Sequence, residues 1–152
     1  MSPTSGSPVA EWVHDMAPAK RPGTVLVVED EPLIRMTIEE CLADQGFTVD
    51  AVGTSVEAVA RVRGNPDTYR AAILDIGLPD GRGDQLADAL RDIVAGLPIV
   101  LCTGYGMGEI RSRAFQQGRI VMISKPFLSE ALLEALRAVE DQPDVLGGHD
   151  HE

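Results

Sequence analysis

The sequence is poor in aromatic residues, which make up 4% of its 152 residues, so aliphatic side chains must fill any core. Hydrophobic residues reach 44% and charged residues only 24%, which excludes a chain that is disordered throughout. A chain of this length fits one domain with some residues to spare. The length therefore excludes a two-domain enzyme.

Cysteine is nearly absent, and no long hydrophobic run occurs. Cys41 and Cys102 are too few and too far apart for a disulfide framework or a metal knuckle. Both lie in apolar runs, which predicts reduced, buried thiols. No stretch reaches the length of a membrane span, and the N-terminus lacks the basic-then-apolar pattern of a secretory signal. We expect a cytoplasmic protein without membrane contact.

Positive charge is also scarce. There are 13 basic residues against 24 acidic ones, and the net charge of −11 repels nucleic acid and anionic lipid headgroups. Nucleic acid is therefore excluded as a direct partner. The only lysines are Lys20 and Lys125, while arginine fills the other cationic positions. A chain that otherwise uses arginine is expected to need an ammonium at position 125.

What the sequence does have is a pattern repeated five times, in which a short apolar run precedes an amphipathic stretch. Runs without polar alternation are typical of strands that are covered on both faces, as in a parallel sheet. The pattern predicts an α/β fold with a doubly wound, five-stranded parallel sheet. The predicted strands are Thr24–Val28, Phe47–Val52, Ala71–Leu74, Ile99–Cys102 and Ile120–Ile123, and the predicted helices are 32–45, 55–63, 84–95, 108–117 and 129–140.

The helix boundaries and the flanking segments carry local signals. Pro32 marks the start of the first of these helices and Gly46 its end, and Ser129 is the expected cap of the last. Residues 1–22 are predicted to be an extension, in which 8–16 have the apolar spacing of a short helix. We place the domain at 23–140 and an acidic flexible tail at 141–152.

Residues capable of chemistry follow four of the five strands. Glu29 and Asp30 follow the first strand, Asp75 the third, Thr103 the fourth and Lys125 the fifth. In a doubly wound sheet the site lies beyond the carboxyl ends of the strands. If the strand order is 2-1-3-4-5, these groups converge, and three carboxylates so close together would repel unless a cation were present. Mg²⁺, which prefers oxygen ligands, is the expected cation.

With a metal in place, Asp75 becomes a nucleophile toward a phosphoryl group. Lys125 and Thr103 would supply the cation and the hydroxyl that hold the phosphoryl oxygens. Each residue taken alone is also explained as a helix cap, a turn residue or a solvated strand end. Independent surface residues have no reason to meet at one edge of a sheet, so the joint pattern favours a site.

Four segments of the chain resemble the receiver domains of two-component response regulators, over about residues 23–140. They are VLVVEDEP, AAILDIGLPDGRGDQL, PIVLCTGYG and ISKPF. The resemblance implies a flavodoxin-like receiver fold with strand order 2-1-3-4-5. It also implies a phosphoacceptor domain that is not an enzyme, although it assists its own phosphorylation and dephosphorylation.

The resemblance also assigns a role to each site residue. Glu29 and Asp30 would bind Mg²⁺, one of them through water, and Asp75 would accept the phosphoryl group from a kinase histidine. The backbone carbonyl of Gly77 would complete the metal shell. Thr103 and Lys125 would hold the phosphoryl oxygens, as already expected from their places at the strand ends.

The chain departs from the family pattern at two positions. Three residues before its lysine the family usually carries an aromatic switch residue, whereas this chain has Met122, and Tyr105 is the nearest aromatic residue. The string Leu-Cys-Thr-Gly-Tyr resembles a subgroup motif, Phe-Ala-Thr-Gly followed by Gly or Tyr. We hypothesise that the 103–108 loop, with three glycines, carries the conformational change instead. Gly77 also lacks the side chain that shields the phosphoryl group in many receivers.

Two rival classes share parts of this pattern. A flavodoxin-type cofactor protein would place hydroxyls and glycines in its first loop, where this chain has Glu-Asp-Glu. A phosphatase with an aspartyl nucleophile would need a second acid two residues after Asp75, where Gly77 stands. His14, His149 and His151 lie outside the predicted body, which disfavours a phosphodonor or metal role for them.

We therefore expect a stand-alone receiver that signals through altered protein binding or acts as a phosphate shuttle or sink. The alternatives are a receiver module of a hybrid kinase and an interaction module that works without phosphorylation. The expected partners are a histidine kinase or phosphotransfer protein, and a downstream protein on the face formed by helix 4, strand 5 and helix 5, roughly residues 108–140.

Overall fold

Strands and helices alternate along the chain. A computed structural model describes residues 23–104 and 113–142. In this part of the chain, none of the helices combines the length and apolar character needed to cross a bilayer. The elements are β1 (Thr24–Val28), α1 (Pro32–Asp44), β2 (Thr48–Val52), α2 (Ser55–Gly64), β3 (Tyr69–Asp75), α3 (Gly83–Ile93), β4 (Ile99–Thr103), α4 (Ala114–Gln117), β5 (Ile120–Ser124) and α5 (Ser129–Asp141).

The predicted elements correspond to these, with shifts of one or two residues at most boundaries. Strand β3 begins two residues before the predicted run, after a short 3-10 helix, Pro66–Thr68. Helix α4 covers only the end of the predicted 108–117; Arg113 forms a turn before it, and residues 105–112 lie outside the described part. The predicted helix at 8–16, Tyr105, the three histidines and most of the tail also lie outside it.

The predicted strand order is confirmed. The described strands of the main sheet run β2-β1-β3-β4-β5, and all of their pairings are parallel. At the carboxyl ends, Val28 pairs with both Val52 and Leu74, and Asp75 pairs with Cys102. Parallel pairing places the ends of β1, β3, β4 and β5 along one edge, so the residues that follow them are neighbours.

The sheet separates two apolar layers, and each strand contributes to both by alternation. In β1, Leu26 and Val28 face one layer, and Val25 and Val27 face the other; all four are buried. Because both faces are covered, the apolar runs of the sequence are nearly uninterrupted. Helices α2 and α3 complete the first layer with Ala58, Val62, Leu86 and Leu90, and α1 and α5 complete the second with Ile38, Leu42, Leu132 and Leu136.

The two helix ends predicted for α1 are observed, but the cap predicted for α5 is wrong. Pro32 is the first residue of α1, and Gly46 follows its end with a φ of 89°, a conformation that favours glycine. Ser129 is already the first helical residue of α5. The extended Leu128 is the cap, and its carbonyl accepts the N–H groups of Ala131 and Leu132. The hydroxyl of Ser129 therefore lies one position too late to cap the helix.

The start of α3 approaches the end of β3 very closely. The N–H of Gly83 donates to the carbonyl of Ile76 at 2.9 Å, and the N–H of Ile76 donates to the carbonyl of Cys102 at 2.9 Å. A Cβ at position 83 would lie 2.8 Å from the Cα of Ile76 and nearer still to the carbonyl oxygen of Asp75. This close contact between backbone segments leaves room only for glycine at position 83. It also holds the backbone at Asp75 in place.

We therefore expect Gly83→Ala to lower the free energy of unfolding by about 1–3 kcal/mol, because the backbone at Asp75 must shift to admit the methyl group. Gly64→Ala is the matched control, since a Cβ there meets nothing within 4 Å. It should stabilise the chain by up to about 1 kcal/mol or leave it unchanged. Urea unfolding of both variants measures the difference, and equal stabilities would contradict the close approach.

Candidate functional site

One ammonium joins two nearly buried carboxylates at the carboxyl edge of the sheet. Glu29 follows β1, Asp75 ends β3 and Lys125 follows β5. The Nζ atom of Lys125 lies 2.9 Å from Oε1 of Glu29 and 3.0 Å from Oδ1 of Asp75. Glu29 is 2% exposed and Asp75 7% exposed. Both carboxylates would be costly to bury without a cation, and Lys125 supplies it.

Burial and pairing act in opposite directions on the pKa values of this group. Burial raises the pKa of Glu29, and the hydrogen bond from Lys125 only partly offsets the rise. Burial lowers the pKa of Lys125, but its hydrogen bonds to Glu29 and Asp75 outweigh burial and leave that pKa above its usual 10.5. Lys125 therefore carries its proton at neutral pH.

The same edge carries a set of ligands suited to a hard cation. Glu29, Asp30 and Asp75 each offer a carboxylate oxygen, and these oxygens lie within 4.8 Å of one another. Asp30 is exposed, so the cluster is open to solvent on one side. Three carboxylate oxygens fit the preference of Mg²⁺ for oxygen ligands. Gly77 follows Asp75 by two residues and opens a two-stranded ribbon, Gly77–Leu78 with Gly81–Arg82, which the apolar pattern did not predict.

The remaining predicted residues occupy the neighbouring strands. Thr103 ends β4 half-buried, and its hydroxyl donates to the carbonyl of Ile123 at 3.4 Å. Its own carbonyl accepts the N–H of Lys125 at 2.7 Å, which ties β4 to the lysine. Met122 is 46% exposed on β5, the edge strand, and pairs with Leu101. Tyr105 lies outside the described residues.

Cys102 adjoins the site but is unsuited to its chemistry. It pairs with Asp75 in the sheet and is buried, as predicted, whereas Cys41 is only partly buried. Burial raises the pKa of the Cys102 thiol to about 12. A thiol with that pKa is not a nucleophile at neutral pH. Cys102 therefore does not supply a nucleophile at this edge.

An open apolar groove of about 480 Å³ begins beside the lysine. The groove lies between the first turns of α1 and the segment after β5, where the Lys125–Pro126 peptide bond is cis. Leu33 is 71% exposed at this end of α1. The groove is lined by Leu33, Ile34, Thr37, Ile38, Gly104, Lys125, Pro126 and Phe127. Lys125 thus belongs to the groove and to the carboxylate cluster at once.

Comparison with known proteins decides the family. The response regulator receiver domain matches residues 25–137. The chain belongs to this family. Receiver domains of response regulators act in two-component signalling, and the fold, the acidic cluster and the lysine described above agree with that membership.

This receiver domain resembles the amino-acid sequences of known regulators. It is 33% identical to the probable transcriptional regulatory protein TcrX of Mycobacterium tuberculosis, over 78% of this chain and 50% of TcrX. It is 35% identical to the two-component response regulator PhoP of Pseudomonas aeruginosa, over 76% of this chain and 50% of PhoP. The chain therefore spans about half the length of these curated relatives.

Solved receiver structures resemble the fold closely. The non-phosphorylated HemR receiver domain from Leptospira biflexa is 30% identical, with a TM-score of 0.68 over 80% of this chain and 95% of that one. The CheY-like receiver domain protein from Methanospirillum hungatei is 26% identical, with a TM-score of 0.71 over 80% and 95% of the two chains.

Sequence reasoning missed Asp80, which links two loops of the receiver domain. Its carboxylate accepts the N–H of Ser55 at 2.8 Å and that of Val56 at 3.0 Å. The loop after Asp75 therefore caps the N-terminus of α2, where backbone N–H groups lack helical partners. An acid between a proline and a glycine indicates only a turn. Nothing in its spacing points to a helix that begins 25 residues earlier.

We expect Asp80→Asn to lower the Tm at neutral pH, because the amide loses the charge interaction with the helix N-terminus. The backbone hydrogen bonds hold the pKa of Asp80 below its usual 3.8. The stabilisation is therefore complete above that pH and is lost as the pH falls through the lower pKa of the folded state.

Thermal unfolding followed by circular dichroism checks this prediction between neutral pH and about pH 3. The difference in Tm between wild type and Asp80→Asn should narrow at the acid end. The exposed Asp67 provides the control, since Asp67→Asn should show no such convergence. A difference for Asp80→Asn that is independent of pH would contradict the charged cap.

Proposed function

We propose that this chain accepts a phosphoryl group on Asp75 from a histidine kinase or a histidine phosphotransfer protein. The observation that carries the proposal is the cluster at the carboxyl edge, in which a nearly buried Asp75 shares one ammonium with Glu29 and lies beside Asp30. In this view residues 23–140 form the receiver, acting in the cytoplasm, and the flanking residues lie outside it.

The transfer requires little covalent chemistry from the protein. An oxygen of Asp75 forms a bond to phosphorus while the bond from phosphorus to the donor's imidazole nitrogen breaks, and the imidazole, protonated on its other nitrogen, leaves as a neutral ring. The Nζ atom of Lys125, already at 3.0 Å from Oδ1 of Asp75, donates to a phosphoryl oxygen. The hydroxyl of Thr103 donates to another.

Glu29, Asp30 and Asp75, with the backbone carbonyl of Gly77, would hold Mg²⁺. The bound cation would supply positive charge against the phosphoryl oxygens, which a site with three carboxylates otherwise repels. Gly77 adds no side chain between solvent and the phosphoryl group. That absence either admits the attacking water or leaves it without a group to position it, so a short and a long lifetime of the acyl phosphate are both compatible with the proposal.

The output we propose is a change in protein binding rather than an enzymatic reaction. The described part of the expected partner face, 113–140, exposes Phe115, Met122 and Leu128, which are 41%, 46% and 73% exposed. These apolar side chains support a protein partner there. A stand-alone regulator and a phosphate shuttle or sink both remain compatible with this proposal, as does a receiver module within a hybrid kinase.

We expect phosphoramidate, whose phosphorus is bonded to nitrogen, to phosphorylate the wild-type chain in the presence of Mg²⁺. Mass spectrometry should show the gain of one phosphoryl group, lost with a chelator and in Asp75→Asn, but retained in Asp67→Asn. Uptake by Asp75→Asn at the wild-type rate would refute the assignment. Signalling that persists in Asp75→Asn would favour an interaction module that works without phosphorylation.

The groove beside Lys125 is suited to the protein that brings the phosphoryl group. Because Lys125 lines the groove and contacts Asp75, an apolar surface seated there would place the donor next to the acceptor carboxylate. The exposed Leu33 and Ile34 offer the apolar contact on the α1 side. We therefore assign the surface formed by α1 and the segment after β5 to the donor protein.

We expect Leu33→Asp to slow transfer from a phosphorylated histidine kinase about tenfold, because a charge replaces an apolar contact. Phosphorylation by phosphoramidate, which needs no docking, should be unchanged. Val56→Asp is a matched control, because Val56 on α2 is also 71% exposed but lies outside the groove. Equal slowing by both variants, or loss of phosphoramidate labelling in Leu33→Asp, would argue against docking in the groove.

A further inference from the structure

Arg35 points from the first turn of α1 back to the turn that follows β1. Its Nη1 atom donates to the backbone carbonyl of Glu29 at 2.8 Å. That carbonyl belongs to the peptide unit shared by Glu29 and Asp30, so the hydrogen bond fixes the orientation of the unit. Arg35 is half-buried and makes this contact through its guanidinium.

The two acidic residues depend on this peptide unit to different degrees. Glu29 is held independently, because its N–H donates to the carbonyl of Val52 at 3.1 Å and its carboxylate accepts from Glu31 and Lys125. Asp30 is exposed, and within residues 23–104 and 113–142 its carboxylate accepts no hydrogen bond. The backbone therefore sets the direction in which the Asp30 side chain leaves the chain, and Arg35 holds that backbone.

Gly53 provides the space in which Arg35 lies. A Cβ at position 53 would be 3.1 Å from Nη1 and 4.0 Å from Cζ of Arg35. Gly53 is itself held, because its N–H donates to the carboxylate of Glu57 at 3.2 Å, in the first turn of α2. Glu57 is fixed in turn by the cap residue Thr54. The guanidinium thus lies against a turn that is hydrogen-bonded to the first turn of α2.

We propose that Arg35 is a positioning residue that orients the Glu29–Asp30 peptide and thereby sets the affinity of the acidic cluster for Mg²⁺. This inference rests on the proposed function, since it assumes that Glu29, Asp30 and Asp75 hold the metal. Groups that orient metal ligands without touching the metal typically contribute 10-fold to 100-fold to metal affinity.

The charge of Arg35 makes the proposal sharply testable. A cation close to a metal site repels the incoming dication, so electrostatics alone predicts that removing Arg35 tightens Mg²⁺ binding. The positioning role predicts the opposite, because Asp30 loses its orientation. The two explanations differ in the sign of the effect.

The experiment is a Mg²⁺ titration of the full chain followed by amide NMR shifts at Asp30 and Asp75. Arg35→Met should raise the Kd for Mg²⁺ about tenfold or more. Arg35→Lys keeps a donor and should recover part of the affinity. Gly53→Ala displaces the guanidinium without changing charge, and it should weaken binding by a smaller factor. Arg63→Met, which removes an exposed cation from α2, should leave the Kd unchanged.

The outcomes separate the inference from the proposed function. A wild-type chain that shows no Mg²⁺-dependent shifts overturns the metal site, and with it the role of Arg35. A wild-type chain that binds Mg²⁺ while Arg35→Met binds it equally well or more tightly overturns only the positioning role. If Arg35→Met does not fold, as judged by circular dichroism, the Kd values of Arg35→Lys and Gly53→Ala for Mg²⁺ are compared with that of the wild type instead. Values equal to or below the wild-type Kd then overturn the positioning role.

Discussion

The ammonium of Lys125 between Glu29 and Asp75 is the interaction on which the site depends. Two carboxylates at 2% and 7% exposure have lost most of their water, and only a cation at hydrogen-bond distance makes their charges tolerable. The parallel sheet makes this possible, because β1, β3 and β5 all end at the same edge. One lysine then offsets part of the negative charge of the resting site and, in the proposed reaction, meets the phosphoryl group.

The architecture could be predicted from the sequence because a strand that is buried on both faces consists almost entirely of apolar residues. Uninterrupted apolar runs such as Thr24–Val28 occur where helices cover both sides of a strand. The cap of α5 was predicted wrongly because a helix start is decided by the backbone, and Leu128 adopts the extended conformation one residue before Ser129. The ribbon formed by Gly77–Leu78 and Gly81–Arg82 was not predicted, because strands of two residues are too short to show a periodic pattern.

The supporting contacts of the site were beyond prediction for a different reason. The sequence indicated where Glu29, Asp75 and Lys125 lie in the fold, because each stands at or directly after the end of a predicted strand. It could not indicate that Asp80 caps a helix begun 25 residues earlier, or that Arg35 returns to the carbonyl of Glu29. Such contacts depend on where long side chains point after the layers have packed, and spacing along the chain does not record that.

The position of Lys125 in the chain has a consequence for synthesis on the ribosome. The lysine follows Glu29 by 96 residues and lies directly after β5, which comes last along the chain among the described strands and forms an edge of the sheet. A nascent chain therefore holds Glu29 and Asp75 without their ammonium until β5 has emerged and docked on β4. Asp75 meets this cation only when translation has delivered β5 at the far edge of the sheet, so a chain that ends before β5 lacks the ammonium that both buried carboxylates require.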